Sequence, residues 1–108
     1  LWDAFMGVED EEDLLIDRFT RLPRGRTRLG VAGKIRTAEQ ARWCLEHGAD
    51  FVDLGRAAIV HHDFPRRAGG DPTFAMADLP VTKEHLRAER VSDTFIDYID
   101  AGWPDFVA

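Results

Sequence analysis

The chain has 108 residues, 44% hydrophobic and 31% charged, with a formal net charge of −6. That composition belongs to one small globular unit rather than a disordered segment, and the acidic balance excludes a broad basic face for nucleic acid. Apolar runs of a few residues exclude a membrane span or a signal peptide, and the lone cysteine, Cys44, excludes an internal disulfide and a cysteine-rich zinc site, as fits a reducing, cytoplasmic compartment.

Acidic residues crowd "EDEED" at 9–13, and arginines follow at 18, 21, 24, 26 and 28. Between them Leu14, Leu15, Phe19 and Leu22 recur at helical spacing. Acids at the front and bases at the back suit the helix dipole, and Pro23 with Gly25 ends the pattern, which predicts a helix over 10–22. "RLGVAGK" at 28–34 is short, apolar and β-compatible, a buried strand ending on glycine. Thr37, with Gln40 three residues on, is a capping box for a helix over 38–47. Ala38, Ala41, Cys44 and Leu45 form its apolar face, and Gly48 ends it.

A second buried strand is expected over 51–55. Asp63 then caps another helix, with Pro65 in its first turn. Two short strands without hydrophobic alternation, joined by an amphipathic helix, make a βαβ unit with a parallel pair. From Gly69 the character changes: "GGDPTF" is a loop. Two capped helices follow. Thr82 caps the first with Val81 stapled to Leu86, and Ser92 caps the second with Val91 stapled to Ile96 and Gly102 as its stop.

Both strands end on a glycine followed by a cation, Gly33-Lys34 and Gly55-Arg56. In α/β sheets and barrels ligands bind at the C-terminal strand ends. Glycine admits close backbone approach, the first N–H groups of the next helix suit phosphate, and arginine adds forked, charged donors. Adjacent parallel strands would bring the two corners together. A single such corner is more simply a tight turn with a solvated cation; two at equivalent positions favour an anion site.

Residues 29–68, "LGVAGKIRTAEQARWCLEHGADFVDLGRAAIVHHDFPRRA", resemble the last two βα units of the old yellow enzyme family, the FMN-dependent NADH:flavin oxidoreductases and ene-reductases. The "RFTRLPRG" stretch and the C-terminal tail are similar to that family as well. The resemblance implies an α/β chain forming part of a (β/α)₈ TIM barrel, with 1–27 preceding strand seven, 28–69 holding two βα units and 70–108 a helical tail. It implies FMN as cofactor, NAD(P)H as reductant and a small-molecule acceptor such as an activated alkene. Gly33, Gly55 and Arg56 match the residues that hold the FMN phosphate. Lys34 stands where the family has a second glycine: a positive φ there would strain it, or else its N–H suffices and its ammonium adds to the phosphate site, so Lys34 is counted with Gly33, Gly55 and Arg56 as cofactor-binding. A whole barrel takes roughly 250 residues, and the chain opens at Leu1 without methionine. Both point to the C-terminal part of a longer enzyme, inactive alone. The family's catalytic His/Asn or His/His pair and tyrosine come from earlier strands, so no catalytic residue is assigned here. A homo-oligomer is compatible with this reading. Two rivals remain: a barrel using the same corners for a sugar phosphate or nucleotide, and a non-catalytic half-barrel that binds or self-associates.

Four other residues or groups invite explanation. "HHD", His61 to Asp63, suggests a metal, but adjacent histidines diverge and no further ligands lie near in sequence, so no metal site is assigned. Cys44, on an apolar face, reads as a buried inert thiol. Trp43 points away from that face and calls for cover, expected from the tail through Phe95, Tyr98 and Trp103. Asp53, inside an apolar strand, calls for an ion pair with Lys34 or Arg28.

Overall fold

A computed structural model describes residues 3–7 and 13–108. Among them the chain forms α1 (Leu15–Thr20), β1 (Gly30–Val31), α2 (Ala38–Glu46), β2 (Phe51–Val52), α3 (Arg56–Val60), α4 (Phe64–Gly70), α5 (Lys83–Ala88) and α6 (Asp93–Gly102). β1 and β2 pair in parallel, with Gly30 opposite Phe51 and Val31 opposite Val52. The chain is therefore α/β, with a helix between two parallel strands. None of the described helices is long and apolar enough to cross a membrane.

Local rules account for much of this. The Thr37 side chain accepts from Gln40 N–H at 3.0 Å, while the Gln40 amide oxygen takes Arg36 N–H at 2.8 Å. Thr82 and Ser92 cap α5 and α6 by accepting from His85 N–H and Phe95 N–H. Both staple partners, Leu86 and Ile96, are buried in one cluster, against which Val91 also packs. The first strand is anchored at its entrance by Asp50, whose Oδ2 accepts from Leu29 N–H at 2.7 Å and from Arg24 Nη1 at 3.1 Å.

Several expectations are corrected. α1 begins at Leu15, because Leu14 is extended and bridged antiparallel to Gly7; residues 10–12 of the expected helix lie outside the described residues. The strands are two residues long, since the backbone leaves the ladder at Gly33 (φ 94°) and Lys34 (φ 60°), and α3 begins at Arg56. β2 is not buried: Phe51 is 47% exposed, as no described element covers that sheet face. Leu45, expected on the apolar face of α2, is 48% exposed. Gly69 and Gly70 continue α4 instead of opening a loop. Asp63 makes no cap bond: its backbone (φ −102°, ψ 21°) is not in the extended conformation of a cap, and its Oδ2 pairs with Arg66 and Arg67, three and four residues on.

The core has two parts. One joins Ala4, Ile16, Leu29, Val31, Ile35, Cys44 and Ala49 around β1 and α2. The other joins α3 to α6 through Val60, Phe64, Leu86, Ile96, Ile99 and Phe106. Leu54 packs against both. The tail thus covers α3 and α4, not Trp43. Trp43 instead stacks on His47, centroids 3.7 Å apart, and tilts against Phe5 at 5.2 Å. Phe95 and Tyr98 are exposed and stack on each other, and Trp103 meets Phe106 edge-on. Cys44 is fully buried, and burial pushes its thiol pKa up, so it is inert.

Candidate functional site

The parallel register sets the exits of β1 and β2 side by side. Between them lies a cleft of about 450 Å³ whose lining includes Gly33, Lys34, Arg36, Asp53, Gly55 and Arg56. The two glycine–cation corners thus share one concavity. Each corner is built by backbone geometry. Gly33 occupies a left-handed conformation that side chains avoid, and Lys34 follows it there at φ 60°. Lysine does sit at positive φ, at a cost in strain.

Arg36 was not anticipated. The segment alternates after the corner: Lys34 exposed, Ile35 buried, Arg36 exposed. Ile35 is anchored in the core, so the two cations emerge on one side. That alternation is visible in "GKIR", and it was the available signal. Asp53 departs from expectation. It is exposed on the cleft wall, and neither Lys34 nor Arg28 pairs with it. Lys34 Nζ instead lies 2.8 Å from Oδ2 of Asp3, whose residue is only 8% exposed. The hydrogen bond from Lys34 leads the lowering of the Asp3 pKa below its ordinary value. Arg56 is placed by the tail, its guanidinium carbon 5.6 Å from the Trp103 ring centroid.

Backbone donors complete the cleft. Among the described residues, the N–H groups of Gly33, Lys34, Gly55, Arg56 and Ala57 have no protein acceptor. The start of α2 is different. Ala38 N–H donates to Phe74 O at 2.8 Å, and Gln40 N–H is held by Thr37, so α2 has fewer free donors to offer than its capping sequence implies. The cleft therefore combines three cations and open amides against one carboxylate on its wall. That set suits a multiply charged oxyanion, which accepts from several donors at once.

A second group of polar side chains forms where the chain turns from α3 into α4. α5 brings His85 and Glu89 against His61, His62 and Asp63. His62 N–H donates to Glu89 Oε2 at 2.9 Å, and the His62 ring bonds to the same oxygen through Nδ1. His61 is 7% exposed, and its Nε2 accepts from Ala77 N–H at 3.0 Å. Burial lowers its pKa, so the ring is neutral and Nδ1 carries the proton. Burial works to raise the Glu89 carboxyl, but the His62 hydrogen bonds outweigh it and hold the group below its ordinary value. Sequence reading missed this cluster because Glu89 lies 27 positions beyond His62.

Compared with known proteins, the chain matches no family profile, no curated protein and no solved structure.

Proposed function

We propose that the cleft binds a phosphate monoester and that the ester is the phosphate of FMN. On this reading the chain supplies the phosphate-binding corners of an FMN-dependent oxidoreductase of the old yellow enzyme type, built as a (β/α)₈ barrel whose other strands lie outside these residues. The observation that carries it is the meeting of Gly33-Lys34 and Gly55-Arg56 in one cleft. The uncovered face of β2 supports it too, since parallel strands are normally covered on both faces.

The donor set fits a phosphate dianion. Open N–H groups at Gly33, Lys34, Gly55 and Arg56 would each donate to a terminal oxygen, and Arg56 would add charged donors. Lys34 contributes less than its charge suggests, being paired with Asp3, and Asp53 repels a second anion placed beside it. Arg56 is therefore the main charged anchor. Bound FMN would supply hydride transfer from NAD(P)H to a small-molecule acceptor; this chain's part is to hold and orient the cofactor's phosphate end.

The test is a titration of the chain with FMN followed by flavin fluorescence, for wild type and Arg56→Ala, with inorganic phosphate as competitor. Saturable binding that phosphate displaces is expected, weakened about tenfold to a hundredfold in Arg56→Ala, as for loss of a charged hydrogen bond of about 1.5–3 kcal/mol. Equal FMN affinity in both proteins would overturn the role of Arg56. Equal affinity for FMN and for a simple sugar phosphate would favour a barrel acting on sugar phosphates or nucleotides.

A further inference from the structure

We propose that the His62 ring and the carboxylates of Asp63 and Glu89 form a binding site for a divalent transition-metal ion such as Zn²⁺. Each offers one ligand atom, and the three atoms lie within 4.8 Å of one another. They come from two separate places, the α3–α4 junction and the residue that ends α5. The site is separate from the phosphate cleft and independent of the reading given to it.

The carboxylate of Asp63 is split in its roles. Oδ2 is held by Arg66 and Arg67, while Oδ1 is fully buried and has no hydrogen-bond partner. A buried acceptor left without a partner is costly, and native proteins rarely tolerate one. Solvent does not reach it, and the nearby arginines are used on the other oxygen. One oxygen of that carboxylate lies within 4.8 Å of the His62 and Glu89 ligand atoms, so a cation bound there would add a partner to a group whose Oδ1 has none. His62 is exposed, and an ion entering between it and Glu89 replaces the bond that its Nδ1 makes to Glu89 Oε2.

His61 belongs behind this site and not in it. Its Nε2 takes the Ala77 amide proton, so its Nδ1 is a donor and has no lone pair for a metal. That Nδ1 is itself buried and unpartnered. One of the His61 ring nitrogens lies within 4.8 Å of the Glu89 carboxylate, so the ring packs behind a ligand of the site. The alternative set of His61, His85 and Glu89 fails on the same proton.

One imidazole and two carboxylates from three residues, with further positions open to water, suit Zn²⁺ better than Ca²⁺ or Mg²⁺, which take more oxygen ligands. Arg66 and Arg67 oppose the incoming charge, so the affinity is moderate. Binding would tie the α3–α4 junction to the end of α5 and raise the melting temperature.

The experiment is calorimetric titration of the chain with Zn²⁺ in excess Mg²⁺, with melting temperatures measured alongside. One saturable site is expected, together with a rise in melting temperature on adding Zn²⁺. His62→Asn and Glu89→Gln should each weaken binding about tenfold or more, as for loss of one of three ligands, and should abolish the rise. His47→Asn serves as control, since that ring is engaged with Trp43 O on α2 and should leave binding unchanged. Folding of each variant is read from its metal-free melting curve. Absence of saturable Zn²⁺ binding to wild type, or binding that survives both His62→Asn and Glu89→Gln in folded protein, would overturn the site and leave His62 and Glu89 as a structural hydrogen-bonded pair.

Discussion

The guanidinium of Arg56 lies over the indole of Trp103, 5.6 Å from carbon to ring centroid. One residue opens α3 at the cleft; the other closes α6 in the tail. The tail thereby reaches the candidate site through the Trp103 ring as well as through Met76 N–H, which donates to Arg36 O at 2.8 Å, and Trp103 is itself held edge-on by Phe106.

An exposed cation–π contact contributes about 0.5–1 kcal/mol. Trp103→Leu should therefore weaken FMN or phosphate binding about two- to fivefold by loosening Arg56. The same substitution made on top of Arg56→Ala should add no further loss of affinity. Additive effects in that double variant, read by fluorescence titration, would show that Trp103 acts by another route.

Lys34 carries backbone strain at φ 60°. Lys34→Ala and Lys34→Gly remove the same ammonium and free the same Asp3 carboxylate, so their difference isolates the backbone. Glycine should be more stable than alanine by ~1 kcal/mol, because a left-handed conformation costs an L-residue roughly 1–2 kcal/mol and glycine returns part of that as chain entropy. Equal denaturant midpoints for the two variants would mean that the corner relaxes when the lysine is removed.

Acid should act in two stages. His61 is kept neutral by burial, its folded pKa below the ordinary 6.5. As pH falls below 6.5 the unfolded chain takes up a proton that the folded chain refuses, so stability declines from there. Asp3, Asp50 and Asp63 all have folded pKa values below the ordinary 3.8. Their contribution is complete above 3.8 and is lost as pH falls through the lowered folded values. His61→Gln keeps an acceptor for Ala77 N–H and should flatten the melting-temperature profile just below pH 6.5 while leaving the acid limb in place. An unchanged slope in that window would assign the first stage to another group.

The features that could be read from the sequence are those fixed within a few residues. Thr37, Thr82 and Ser92 cap their helices because a side-chain oxygen and an N–H two or three positions later find each other whatever surrounds them. Val81 and Val91 predicted buried partners at Leu86 and Ile96 for the same reason. The two glycine–cation corners were legible because a sharp turn after a parallel strand leaves few choices of residue. Asp63 misled, since a cap needs an extended backbone at its own position, and Asp63 (φ −102°, ψ 21°) does not have one, while its Oδ2 turns to Arg66 and Arg67. Trp43 misled as well: the helical wheel says that it needs cover, but says nothing of what supplies it, and Phe5 and His47 do so.

Composition, caps and turn residues thus determined an α/β chain with a parallel pair, two corners of one chemistry and a helical tail, because each depends on contacts close along the backbone. Tertiary structure alone decided that Lys34 pairs with Asp3, that Arg36 joins the cleft, that Asp53 stays exposed and that Glu89 reaches His62. Those outcomes depend on where distant segments pack, and burial and charge pairing across such distances leave no periodic mark in the sequence.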